Sequence, residues 1–148
     1  MTPIRVEGEK EMLALGMSLA ALLRPGDVLL LYGELGAGKT VLTRGITRGL
    51  GILEPVLSPT FALFHRYAGA VSLHHFDLYR LHGERALYEA GLLEYIGGDA
   101  VTVIEWPERC LSELPTRHLK IFIEYGEKED GRTVAVVPHG GFREINLQ

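Results

Sequence analysis

The chain has 148 residues, 47% of them apolar and 23% charged, a formal net charge of −4 and one cysteine. This length suits one domain spanning 1–148, with roughly 70% of the unfolded chain's surface buried on folding. The acidic balance speaks against broad, non-specific binding to a nucleic-acid backbone, and the lone Cys110 excludes an internal disulfide.

In chain order, Ile4–Val6 predicts a short first strand. Met12, Leu15, Leu19, Leu22 and Leu23 recur at helical spacing, predicting a helix from Glu9 to Leu23 that stops before Arg24-Pro25-Gly26. Val28–Tyr32 is a continuous apolar run of strand length, as expected for a strand buried on both faces. A second helix is expected from about Gly38 to Leu50, with Leu42, Ile46 and Leu50 facing inward. Ala62–Arg66 and Val71–Asp77 predict a hairpin, Glu84–Tyr95 a helix, and Ala100–Ile104 a buried strand. Leu119–Tyr125 and Thr133–Pro138 predict a closing hairpin. Early alternation and late pairing give an α/β fold with a mixed parallel and antiparallel sheet flanked by helices. Met1–Arg5 has no apolar segment of signal-peptide type, and Val28–Leu31 is too short to cross a bilayer. The chain therefore reads as cytoplasmic, with no membrane role.

Gly33-Glu34-Leu35-Gly36-Ala37-Gly38-Lys39-Thr40 fits G-x-x-x-x-G-K-[ST] at every fixed position. Glycines let backbone N–H groups turn toward phosphates, and the helix that follows directs its N-terminal dipole at the same anion. Glu34, Leu35, Gly36, Ala37, Gly38, Lys39, Thr40 and Val41 are thus the candidate nucleotide-binding residues. Lys39 is expected to reach the β- and γ-phosphates and Thr40 to ligate Mg²⁺. A chance match in average composition arises roughly once in two hundred chains of this size. The buried strand running in and the amphipathic helix running out make the motif more specific still.

Guanine-specific P-loop proteins read their base with N-K-x-D. The only asparagine is Asn146, with no lysine after it, and Glu127-Lys128-Glu129-Asp130 offers an acceptor where an amide donor is needed. ATP is the expected nucleotide. Two acids end apolar strands: Glu105 after Val101–Ile104, in the Walker-B pattern, and Asp77 after Val71–Phe76. One can hold the metal while the other positions or deprotonates the attacking water. The alternative for each is a solvated acid at a strand end.

The P-loop, Ser58-Pro59-Thr60-Phe61, His75-Phe76-Asp77-Leu78-Tyr79-Arg80-Leu81 and Ile104-Glu105-Trp106-Pro107 together resemble the TsaE (YjeE) family. The likeness spans about residues 9 to 125. These are ATPases of tRNA threonylcarbamoyladenosine biosynthesis. The resemblance implies a weak, Mg²⁺-dependent ATPase that supports a transferase complex of TsaD and TsaB, meeting tRNA mainly through that complex. It also implies Walker-A roles for Lys39 and Thr40, Mg²⁺ binding by Glu105 and a catalytic need for Asp77. Thr60 takes a place near the γ-phosphate and Trp106 one beside the nucleotide. Glu34 stands where Asp is common, and the segments at 81–84 and beyond Tyr125 follow the family loosely.

Simpler readings stand beside these. His74 and His75 point to opposite faces of one strand, and no further ligands are spaced for zinc. Arg44 and Arg48 sit four apart on the P-loop helix, where a solvated face is the simpler account than a partner or RNA. Cys110 packs as a small apolar residue. A small-molecule kinase remains the alternative function, although no lid with paired arginines is visible. A nucleotide-gated binding module with negligible turnover is the third.

Overall fold

The computed structural model describes residues 3–34, 36–56 and 63–147. Among them, seven strands form one sheet: β1 (Ile4–Glu7), β2 (Val28–Tyr32), β3 (Phe64–Tyr67), β4 (Leu73–Asp77), β5 (Val101–Glu105), β6 (His118–Tyr125) and β7 (Gly131–His139). Their order is β1-β7-β6-β2-β5-β4-β3. β2 lies between β5 and β6 and runs parallel to both, and β4 runs parallel to β5. The hairpins β3/β4 and β6/β7 and the pair β1/β7 are antiparallel. The sheet is mixed, as the strand pattern predicts.

The apolar run of β2 follows from its central place, because each face of the sheet carries its own cover. Leu29 and Leu31, with Val101, Val103, Leu119 and Ile121, pack under helices α1 (Glu9–Ala20) and α2 (Lys39–Gly49). The alternate residues Val28 and Leu30, with Phe76 and Ile104, face Leu78, Leu87 and Leu114 on the other side. α1 ends at Ala20, three residues short of the predicted Leu23. Its last turn tightens, as the Leu22 and Leu23 N–H groups bond the Leu19 and Ala20 carbonyls.

The helix expected over Glu84–Tyr95 is not continuous. One turn, α3 (Ala86–Glu89), is followed by Gly91 at φ 74° and a separate 3₁₀ turn at Leu93–Tyr95. Glycine in the left-handed region terminates a helix, and here it does so in mid-segment. The Glu113 carboxylate accepts the Leu87 and Tyr88 N–H groups, both at 3.0 Å, so a distant side chain anchors this short turn. Among the described residues, no helix is long and apolar enough to cross a membrane.

α1 and α2 cross at glycines. A Cβ on Gly45 would collide with the Leu13 carbonyl and come within 3.0 Å of Gly16 Cα. The colliding atoms are backbone, so no rotamer change relieves them. Gly45→Ala should gain about 1 kcal/mol of helix propensity. It should lose about 1–3 kcal/mol to overpacking. We expect a net loss of stability by urea denaturation; an increase would show that the two helices separate freely. The crossing matters because α2 carries the start of the candidate site.

Candidate functional site

The site forms where the central parallel strands end. β4 and β5 place Asp77 directly opposite Glu105, and β5 places Glu105 opposite Leu31 of β2. Paired residues in a parallel ladder project from the same face, so both carboxylates lie on the face that α1 and α2 cover. The chain leaves β2 after Tyr32, passes through the cradle and enters α2 at Lys39. Gly36 and Gly38 hold φ of 81° and 117°, values a side-chain-bearing residue adopts only with strain. Gly38 is the N-cap of α2 and gives no side-chain cap, so the first N–H groups of the helix face the cradle without one. An uncapped helix start in a glycine loop suits an anion.

Lys39 is buried, 5% exposed, and so is Glu105. Lys39 Nζ stands 3.9 Å from Glu105 Oε1 and 4.3 Å above the Trp106 ring. The first distance is an ion pair but too long for a hydrogen bond. A cation removed from water and held, among the described residues, by this loose pair and the Trp106 ring is costly, and phosphate oxygens would complete its coordination. The donor set therefore fits a nucleotide phosphate, and Glu105 with Thr40 fits a hard divalent cation shared with it. Trp106 reaches its place at φ 56° and ψ 48°, a left-handed conformation rare for a bulky residue. Tyr79 and Arg109 back it: the Tyr79 ring lies 4.9 Å from the Trp106 ring, and the Arg109 guanidinium lies 5.1 Å above Tyr79.

Asp77 is half-buried, and its Oδ1 accepts the Tyr79 N–H at 3.0 Å. Burial pushes its carboxyl above the usual carboxylate range and the charge of Glu105 adds to this, against the opposing pull of the Tyr79 N–H, His75 and Lys39. The folded state thus holds this proton more tightly than the unfolded one. Stability from the group is greatest at low pH and falls as pH rises from the ordinary carboxylate range through the elevated folded value. Asp77→Asn should therefore raise the melting temperature of the nucleotide-free, Mg²⁺-free protein at neutral pH. The advantage should shrink as pH falls below the carboxylate range. An Asn variant less stable at pH 7 would contradict the burial argument.

The structure brings Lys39, Glu105, Asp77 and Trp106 together, with Thr40 in the first turn of α2. Glu34 is exposed at the cradle's entrance, and its carbonyl accepts the Ala37 N–H at 3.0 Å. Val41 lines a cavity of ≈ 240 Å³ beside Gly36–Gly38 and Met12. Trp106, with Tyr32 and Phe122, lines a cavity of ≈ 530 Å³ on the other flank. Leu35 and Thr60, with the rest of Ser58-Pro59-Thr60-Phe61, lie outside the described residues.

Two further residues reach the site. Arg132 on β7 reaches back to the cradle, its Nε donating to the Ala37 carbonyl at 3.1 Å. No sequence signal links positions that far apart. His75 Nε2 lies 2.6 Å from Glu105 Oε2. Here the signal existed: strand alternation puts His75 and Asp77 on one face. His74 faces the other way and bonds the Tyr95 carbonyl at 2.7 Å. Arg44 pairs with Glu9 at 3.5 Å, which gives this partly exposed residue a local role.

The family model described as "Threonylcarbamoyl adenosine biosynthesis protein TsaE" matches residues 6–134. A Nostoc protein named tRNA threonylcarbamoyladenosine biosynthesis protein TsaE is 39% identical over 145 residues, covering 93% of this chain and 86% of its own. The Bacillus subtilis protein of the same name is 41% identical over 121 residues, covering 81% and 75%. The crystal structure of Bacillus subtilis YdiB superposes with a TM-score of 0.79 at 35% identity, covering 94% of this chain and 86% of that one. The fold is that of P-loop NTPases.

Proposed function

This chain belongs to the TsaE family of threonylcarbamoyladenosine biosynthesis proteins, and we propose that it is a Mg²⁺-dependent ATPase supporting tRNA modification by TsaD and TsaB. The observation that carries this reading is the buried Lys39 and Glu105, 3.9 Å apart, beside the uncapped start of α2. In the proposed mechanism Lys39 releases Glu105 and binds the β- and γ-phosphate oxygens, together with the backbone N–H groups of the cradle. Thr40 and Glu105 would hold Mg²⁺, which when bound would neutralise charge on the phosphate oxygens. Asp77, adjacent to Glu105, orients the attacking water, and its raised proton affinity suits it to accept a proton. Trp106 covers the phosphate end and excludes solvent. Glu34, Leu35, Gly36, Ala37, Gly38, Val41 and Thr60 complete the nucleotide contacts. The absence of N-K-x-D favours adenine over guanine.

Residues 1–148 act in this reading as one cytoplasmic ATPase domain that meets tRNA mainly through the TsaD–TsaB complex. The test is phosphate release from ATP by the purified chain, alone and with TsaD and TsaB, for the wild type and Glu105→Gln. We expect slow turnover alone, stimulation by the complex, and loss of both in the variant. Turnover indifferent to partners and to the substitution would sink the proposal. Transfer of the γ-phosphate to a metabolite would replace it with a kinase.

A further inference from the structure

His74 and His75 are adjacent in β4, yet only His75 faces the candidate site. It lies two residues before Asp77 on the same face, opposite Val103 in the row below Glu105. The ring is fully buried at 0% exposure. Its Nε2 stands 2.6 Å from Glu105 Oε2, and an ionised carboxylate can only accept, so Nε2–H is the donor. Nδ1 is buried and has no hydrogen-bond partner among the described residues. An orphaned buried nitrogen costs folding stability, and packing alone would favour leucine or phenylalanine here. The ring's polar contact goes instead to one oxygen of one carboxylate. The other oxygen, Oε1, faces Lys39 and the cradle.

We propose that His75 is a positioning residue for Glu105, pinning Oε2 so that Oε1 is presented to the divalent cation of the nucleotide complex. The proposal rests on the reading of Glu105 as the metal acid. A histidine behind a metal-binding carboxylate fixes its orientation, as other outer partners of metal ligands do. Without that donor on Oε2 the carboxylate is free to rotate, and Oε1 leaves the orientation that faces the cradle.

The test uses the full chain, a non-hydrolysable ATP analogue and Mn²⁺ as a paramagnetic probe, titrated by electron paramagnetic resonance. His75→Leu should weaken Mn²⁺ binding about 10- to 100-fold. Analogue binding in excess chelator should stay close to wild type. His75→Gln can place its amide nitrogen where Nε2 lies and should restore most of the metal affinity. His75→Asn places its nitrogen too far back and should not. On a Glu105→Gln background, His75→Leu should add no further loss.

A folded His75→Leu protein with wild-type Mn²⁺ affinity overturns the proposal, as does His75→Gln losing as much as His75→Leu. Should His75→Leu fail to fold, the Gln and Asn variants decide, and equal affinities for both overturn it. If Glu105→Gln itself keeps full Mn²⁺ affinity, the metal-acid reading falls and takes this proposal with it. If Glu105→Gln loses the metal while His75→Leu does not, only the positioning role is lost.

Discussion

Lys39→Ala is expected to cut ATP turnover by about 100- to 1,000-fold, the usual cost of deleting one preorganised group that stabilises transition-state charge. The protein should remain folded. Lys39 is a buried cation whose ion pair with Glu105 spans 3.9 Å, too long for a hydrogen bond, so its removal strands the Glu105 charge less than loss of a hydrogen-bonded partner would. The carboxylate left behind keeps His75 as a donor. The expected pattern is therefore lost turnover with a melting temperature unchanged or modestly lowered, measured by phosphate release and by calorimetry on the same sample. Residual turnover within about tenfold of wild type would mean that Lys39 does not face the transferred phosphate. A collapsed melting temperature would instead make the lysine a structural residue.

The second large effect lies away from the site. Asp27 immediately precedes β2 and is 2% exposed. Its carboxylate accepts the Arg24 N–H at 2.7 Å and two bonds from Arg143, at 3.0 Å from Nη1 and 2.6 Å from Nη2. Arg143 also donates to the Leu22 carbonyl at 2.6 Å. One guanidinium thus ties the chain's C-terminal segment to the end of α1 and the start of β2. Arg143→Met keeps much of the apolar stem but leaves Asp27 as a buried charge with, among the described residues, the Arg24 N–H as its donor. We expect a loss of about 3 kcal/mol, the low end for breaking a buried pair, since Arg143 itself is partly exposed. For a domain of this size that lowers the melting temperature by about 10 °C. Adding Asp27→Asn should recover part of the loss by removing the stranded charge. A loss below about 1 kcal/mol would show that solvent reaches Asp27 once the arginine is gone.

Both effects show what local pattern reveals and what it does not. The cradle was legible because every requirement is local: glycines at fixed spacing, a lysine and threonine at a helix start, and a strand before them. Glu105 and Asp77 were legible because a strand that ends in an acid is a short-range pattern. β2 was legible because burial on both faces demands an unbroken apolar run. The segment at 84–95, expected as one helix, forms instead one α-turn and a separate 3₁₀ turn. Tertiary contact decided it: Gly91 takes a left-handed turn and Glu113 caps the short α3 from elsewhere in the chain.

The sequence by itself determined the glycine loop before α2, the acids that end β4 and β5, and the mixed α/β architecture, because these depend on residues within a turn or a strand of one another. Only the tertiary structure decided which groups meet. Register between β4 and β5 sets Asp77 opposite Glu105 and brings His75 Nε2 within 2.6 Å of Glu105 Oε2. The left-handed Trp106 lays its ring over Lys39, and Arg132 crosses from β7 to brace the cradle. Each of these depends on pairing and packing between segments far apart in the chain, and such distances leave no periodicity for a sequence to display.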